Sequence, residues 1–351
     1  MKYIQLTDYQ IMYGDIDQAL AEYLEGRSYT SIFIIVDENT KEHCLPLVKS
    51  VKGYHLIEIK SGELHKNLST CQEIWSAMAK AGADRHSLVI DLGGGVIGDM
   101  GGFAASCYMR GVDFVQVPTT LLSQVDASVG GKLAVDFQGL KNFIGLFKNP
   151  KSVIVDPQCI QTLIPAELRS GYAEMIKHAL IQDANIWDRI TGIANWRELD
   201  WQEEIFASVL IKKKVVEEDP TEKGLRKILN FGHTIGHAVE SLSFETDQPF
   251  LHGEAIAIGM ICEAYISTQR CGLSQAALGD IQNYILNVYP DLDLEILNRK
   301  EEILEKLKSD KKNKGGRYLF ALLRGIGDAV YDIDVSAEEI FASLDYLLAQ
   351  S

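Results

Sequence analysis

The spacing of apolar positions changes partway along the chain. Up to about residue 155 they come as short β-branched runs separated by helical stretches, and residues 31–36, 54–59, 87–90, 114–117 and 152–155 read as strands. Strands alternating with helices predict an α/β domain over residues 1–157 with a mostly parallel, Rossmann-like sheet. Beyond Asp156-Pro157 the period becomes helical, over 166–182, 200–218, 225–242, 252–271, 274–288 and 294–308. Residues 318–323 and 329–334 predict a small hairpin. A closing helix over 336–348 is predicted, with Ser336 as N-cap and Glu339 three residues on. Residues 158–351 are therefore expected to form a mainly α-helical C-terminal domain. The pattern shows no internal repeat.

Ligands in open parallel sheets sit at the carboxyl ends of the strands. Asp37, the run Gly93-Gly-Gly95 and the pair Thr119-Thr120 all fall at such ends. Gly93-Gly-Gly-Val-Ile-Gly98 follows a strand and opens a helix, the setting in which backbone N–H groups approach a pyrophosphate. The acidic residue about 20 positions on would be Asp113, but it precedes its strand, so Asp37 is the better ribose partner.

Charge narrows the partners. The chain has 34 Lys and Arg against 49 Asp and Glu, a net charge of −15. A phosphate backbone demands a basic surface, so nucleic-acid binding is not expected. No run reaches the ~18–20 apolar residues of a membrane span, and the first residues lack the apolar core of a signal peptide. The protein is expected to be cytoplasmic, with no membrane partner. Cys44, Cys71, Cys107, Cys159, Cys262 and Cys271 form no CxxC pair and read as scattered buried thiols.

The histidines are not scattered. Asn230-Phe-Gly-His-Thr-Ile-Gly-His237 sets His233 and His237 four apart on one helical face, and His252 opens a later helix in Leu-His-Gly-Glu254. Upstream, Glu174 and Lys177 stand three apart on another helix. A carboxylate with two imidazoles is a common catalytic zinc set. Spacing alone leaves open whether His237 or His252 completes it. Lys132, Lys141-Asn142, Lys212, Arg226, Asn230 and the pair Lys311-Lys312 lie beside these motifs, enough donors for a small substrate with both a carboxylate and a phosphate.

The motifs taken together resemble the 3-dehydroquinate synthase family. They are Gly93-Gly-Gly-Val-Ile-Gly-Asp99, Tyr108-Met-Arg-Gly111, Gln116-Val-Pro-Thr-Thr-Leu-Leu-Ser-Gln-Val-Asp126, Gly130-Gly-Lys132, Ala173-Glu-Met-Ile-Lys177, the histidine segment and Leu251-His-Gly-Glu254. Leu133 and Asp136 stand where the family commonly has Thr and Asn. The resemblance implies a carbon–oxygen lyase that turns 3-deoxy-D-arabino-heptulosonate 7-phosphate into 3-dehydroquinate and phosphate, in the shikimate pathway. It implies NAD as a cofactor reduced and reoxidised within each turnover, and Zn2+, or Co2+, as the metal. The metal ligands would be Glu174, His233 and His252. Lys132, Asn142, Lys177, Lys212, Arg226, Asn230, His237 and one of Lys311 and Lys312 would bind substrate, and Arg110 would reach across a homodimer interface. Asp37, Asn39, Glu63, Lys66, Gly94, Gly95, Asp99, Thr119, Thr120, Asp126, Lys132, Lys141 and Thr162 would hold NAD. The resemblance thus assigns NAD to the first domain, metal and substrate to the second.

Two alternatives share these features. A sugar-phosphate cyclase of the 2-epi-5-epi-valiolone or 2-deoxy-scyllo-inosose synthase type would accept a substrate without the carboxylate. A metal-dependent polyol dehydrogenase would release NADH in net stoichiometry.

Overall fold

A computed structural model describes residues 1–138, 140–309 and 318–350. The chain divides into two compact units, Met1–Ile164 and Pro165–Ser351. The division falls after Ile164 and not after Pro157, because Cys159, in the short 3-10 helix Pro157–Thr162, packs into the core of the first unit.

The first unit holds β1 (Lys2–Gln5), β2 (Gln10–Tyr13), α1 (Ile16–Leu24), β3 (Ile32–Val36), α2 (Glu38–His43), β4 (His55–Glu58), α3 (Leu68–Lys80), β5 (Leu88–Gly93), α4 (Gly95–Cys107), β6 (Asp113–Pro118), β7 (Lys132–Phe137), β8 (Leu140–Phe147) and β9 (Ser152–Val155). Seven strands form one sheet in the order β1-β2-β9-β6-β5-β3-β4, parallel except for the β1–β2 pair. The chain leaves β3 outward to β4 and then returns to β5 on the other side of β3. That reversal is a switch point, where strand ends diverge and leave a crevice. Asp37 follows β3 and Gly93 ends β5, so the two candidate nucleotide contacts flank it. Buried side chains cover both faces of the sheet: Ile34, Val36, Ile90 and Val115 on one, Phe33, Ile35, Val89 and Phe114 on the other.

Two elements were not expected from the pattern. β1 and β2 form an antiparallel edge, and β7 and β8 form a separate two-stranded hairpin.

The second unit carries α5 (Pro165–Gln182), α6 (Ala184–Thr191), α7 (Trp201–Glu218), α8 (His233–Ser243), α9 (His252–Arg270), α10 (Gln275–Val288), α11 (Lys300–Ser309), the hairpin β10 (Tyr318–Gly325) and β11 (Asp328–Val335), and α12 (Ala337–Leu348). Ser336 and Glu339 form the expected reciprocal cap of α12. The segment 225–242 is not one helix. Residues Leu225–Asn230 form a 3-10 turn, and α8 starts only at His233, because Gly232 takes a left-handed φ of 78°. The segment 294–308 is likewise a 3-10 turn, Leu294–Asn298, followed by α11. Among the described residues no helix is long and apolar enough to cross a membrane.

Candidate metal centre and nucleotide turn

Three helices of the second unit bring one carboxylate and two imidazoles together. Glu174 projects from the fully buried middle of α5. His233 is the first residue of α8 and His252 the first of α9. The first turn of α9 is fixed from two sides. Glu254 reaches back to accept the Leu251 N–H at 2.9 Å, and the Gly253 N–H donates to Ser170 Oγ of α5 at 3.0 Å. Helices α8 and α9 cross with almost no gap: a Cβ on Gly259 would lie 1.9 Å from the Gly232 carbonyl oxygen. That approach requires glycine, and it sets the two imidazoles side by side with ring centres 5.4 Å apart.

The donor atoms converge. Nε2 of His233 and Nε2 of His252 each stand 3.3 Å from Glu174 Oε1. Metal–ligand bonds of about 2.0–2.1 Å in a tetrahedron place neighbouring donors about 3.3 Å apart, so the set suits a zinc-like ion. The other ring nitrogens face acceptors. His233 Nδ1 donates to the Phe231 carbonyl at 3.1 Å, and His252 Nδ1 lies 3.5 Å from Glu240 Oε2. This turns the Nε2 of each ring toward Glu174, the orientation a metal ligand needs.

The electrostatics follow from the same packing. Burial works against a charge on Glu174, but Lys177 and His233 outweigh it and hold the carboxyl well below its usual range. Lys177, buried one helical turn on, forms an ion pair with Glu174 Oε2. Burial and then Lys177 push His233 down to about 4. Burial also opposes charge on His252, yet Glu174 and Glu240 prevail and raise it to about 9.

His237 lies beside the triad, its ring centre 5.0 Å from His233 and 5.8 Å from His252. It does not share the Glu174 donor set, but groups instead with Glu240 and His252. The spacing of His233 and His237 could not show this, because the choice is made by α5. Lys212 and Arg226 are buried, and Arg226 Nη1 donates to the Pro220 carbonyl at 2.7 Å. Asn230 Nδ2 donates to Glu222 Oε1 at 2.9 Å. Lys311 and Lys312 lie outside the described residues.

In the first unit, Gly94 precedes α4 and Gly95 begins it, and the Thr119 N–H donates to the Gly93 carbonyl at 3.0 Å. Thr120 bonds Ser123 Oγ at 2.9 Å, and Asp126 lies in the π-helical turn Ser123–Ala127. Asp37 Oδ1 accepts the Thr40 N–H at 2.8 Å and so caps α2, on which Asn39 is exposed. Glu63 leads into Lys66, whose buried ammonium donates to Asp99 Oδ2 and to Asn142 Oδ1, both at 2.6 Å. Burial opposes the charge on Lys66, but Asp99 and Glu63 raise its pKa above the usual lysine value. Asn142, expected at the substrate, thus touches Lys66, expected at NAD; it has a φ of 49° and donates its N–H to Asp136 Oδ1 at 2.7 Å. The hairpin separates the two lysines expected beside it. Lys132 pairs with Phe147 at the open end, while Lys141 sits next to the turn. Thr162 is exposed at the end of its 3-10 helix, and Arg110 is exposed at a φ of 71°.

Some residues of interest were missed. Asp91, on β5, lines a small cavity under the glycine turn, is 1% exposed, and has no hydrogen-bond partner on either oxygen among the described residues. A Cβ on Gly101 would lie 2.1 Å from Asp91 Oδ1, so α4 must offer glycine there. Burial alone pushes the Asp91 carboxyl well above the usual range. A raised folded value means stability falls as pH climbs past the unfolded value of about 3.9. Asp91→Asn is expected to raise the melting temperature at pH 7, with the gain vanishing near pH 4. Equal melting temperatures at pH 7 would refute this. Glu240 and Glu263 were also missed. Glu240 shares the face of His233 and His237, and Glu263 is an isolated acid within an apolar stretch of α9, both signals present in the sequence.

A glycine turn at a sheet switch point and a buried Glu-His-His donor set are features of nucleotide- and metal-dependent enzymes. The comparisons narrow this class. A family model described as 3-dehydroquinate synthase N-terminal matches residues 56–170, and one described as 3-dehydroquinate synthase C-terminal matches 171–313. A 3-dehydroquinate synthase of Parabacteroides distasonis is 40% identical over 339 residues, covering 95% of this chain and 95% of its own. Among solved structures, the 2-epi-5-epi-valiolone synthase ValA of Streptomyces hygroscopicus, with NAD+ and Zn2+ bound, superposes with a TM-score of 0.87 at 27% identity, covering 100% of this chain and 99% of its own. A 2-deoxy-scyllo-inosose synthase complexed with carbaglucose-6-phosphate, NAD+ and Co2+ shares the fold, with a TM-score of 0.82 at 24% identity over 98% of this chain and 99% of its own. The chain belongs to the 3-dehydroquinate synthase family.

Proposed function

We propose that the protein converts 3-deoxy-D-arabino-heptulosonate 7-phosphate to 3-dehydroquinate and phosphate, as a cytoplasmic carbon–oxygen lyase that works as a homodimer. The observation that carries the reading is the convergence of both His Nε2 atoms on Glu174 Oε1 within a unit that also buries Lys177, Lys212 and Arg226. Glu174, His233 and His252 would hold the metal, and the glycine turn with Asp37, Lys66 and Asp99 would hold NAD. When bound, NAD supplies a reversible hydride acceptor, and the divalent ion supplies a Lewis acid for the substrate hydroxyls.

The protein's own residues bind and orient. Arg226 is anchored by its backbone N–H to Asp219 Oδ2 at 3.2 Å and by its side chain to Pro220, so its planar fork is set before an anion arrives. Lys212 and Lys177 add ammonium groups that offset the substrate's carboxylate and phosphate. Asn230 is held by Glu222, which fixes the direction of its amide. His237, next to both triad imidazoles, would bind the phosphate or hold a proton there. The leaving phosphate's own oxygens can take the proton lost during elimination, so the scheme demands no dedicated protein base. Exposed Arg110 is the residue this reading assigns to the partner's site.

Phosphate release is the test. With NAD and Zn2+ present, the heptulosonate is expected to yield stoichiometric phosphate with no net NADH, and a chelator is expected to abolish it. Phosphate released only from a carboxylate-free sugar phosphate would move the assignment to another cyclase. Net NADH would point to a dehydrogenase.

A further inference from the structure

Two buried carboxylates of the second unit have no part in the scheme above. Glu240 lies on α8, and its Oε2 faces Nδ1 of His252 on α9 at 3.5 Å. Glu263 lies on α9, is fully buried, and accepts the N–H groups of Gly232 at 2.6 Å and Ile235 at 3.0 Å, at the start of α8. The arrangement is reciprocal. Each helix carries one imidazole of the triad and one carboxylate aimed at the segment that carries the other imidazole.

We propose that Glu240 and Glu263 are a reciprocal pair of positioning residues for a divalent metal ion held by Glu174, His233 and His252. The inference rests on the metal reading above. Glu240 acts through His252: an Nδ1–H directed at a carboxylate fixes the tautomer and ring plane and makes Nε2 a stronger donor. Glu263 acts through His233. The first N–H groups of a helix have no partner within it, and here they are buried, so a carboxylate at that end satisfies them and complements the helix dipole. Glu263 thereby fixes Gly232, whose neighbour Phe231 supplies the carbonyl that accepts His233 Nδ1–H. Both contacts reach across the crossing at Gly259, where α8 and α9 have no room to adjust independently.

The test uses the metal itself, on the full chain. Metal-free protein is titrated with Co2+ while its visible absorption is followed, and Zn2+ affinity is measured by competition with a chromophoric chelator. Glu240→Gln and Glu263→Gln are each expected to keep one bound Co2+, to shift its absorption bands, and to weaken Zn2+ binding by about 10–100-fold. Glu240→Asp, which keeps the carboxylate, is expected to recover part of the affinity. Unshifted bands with Zn2+ affinity within twofold of the wild type would overturn the proposal. Loss of all Co2+ absorption in Glu240→Gln at saturating metal would make Glu240 a ligand, and would overturn it in a different way. A wild-type protein that binds no Co2+ would instead remove the metal reading on which the inference stands. Should Glu263→Gln not fold, Glu240→Gln decides the matter, since its side chain caps no helix.

Discussion

Glu174→Gln is expected to abolish phosphate release and to destabilise the protein by about 3–5 kcal/mol, the cost of breaking a buried ion pair from one side. Glu174 is fully buried, and Lys177 is 1% exposed. Removing the carboxylate charge takes the Glu174 half of this ion pair away from the buried Lys177 ammonium. Metal affinity should fall by more than the ~10–100-fold that loss of an outer partner costs, because a ligand itself is replaced. The two losses have different origins, and a second substitution separates them. Glu174→Gln combined with Lys177→Met removes both buried charges, so most of the stability should return while metal binding and phosphate release stay lost. Urea midpoints give the stability and a phosphate assay gives the activity. Full activity in the single variant would remove Glu174 from the site. A double variant as unstable as the single one would show that lost packing, not the broken Glu174–Lys177 pair, sets the cost.

What the sequence discloses of this fold depends on how local the cause is. β3, β5, β6 and β9 are covered on both faces, so each reads as a near-continuous apolar run. The hairpin of β7 and β8 does not read that way. Along β8 most side chains are exposed, with Leu140, Phe143 and Phe147 facing outward among Lys141 and Asn142, and alternation is confined to its second half, where Ile144 and Leu146 turn partly inward. The break at Gly232 was hidden for a related reason. Helical periodicity continues through Phe231, and only the close approach of α9 demands the left-handed turn. The site divides the same way. Spacing on one helix groups His233, His237 and Glu240 on a face. It cannot say that α5 delivers Glu174 to His233 and His252, because that is decided by how three helices pack.

Zinc affinity is expected to rise about tenfold per pH unit from pH 6.5 to 9, and then to level off. A metal ion must displace the proton from any ligand that carries one. Glu174 is held ionised throughout this range, and His233, pushed down to about 4, is neutral. His252, raised to about 9, is the group that still holds its proton. One proton should therefore be released per metal bound at neutral pH, measurable as a buffer-dependent binding enthalpy. The metal-free protein should respond with the opposite sign. The folded value of His252 lies above the unfolded value of about 6.5, so its contribution to stability is fully present below pH 6.5 and is lost as pH rises through 9. Chelated and zinc-loaded samples should then diverge in melting temperature as pH rises, each tenfold gain in affinity adding about 1.4 kcal/mol at fixed free zinc. Glu240→Gln takes away one of the two carboxylates that raise His252, so the window should move to lower pH. An affinity that is flat between pH 6.5 and 9 would mean that His252 is already neutral, and a slope of two protons would mean that His233 is charged as well.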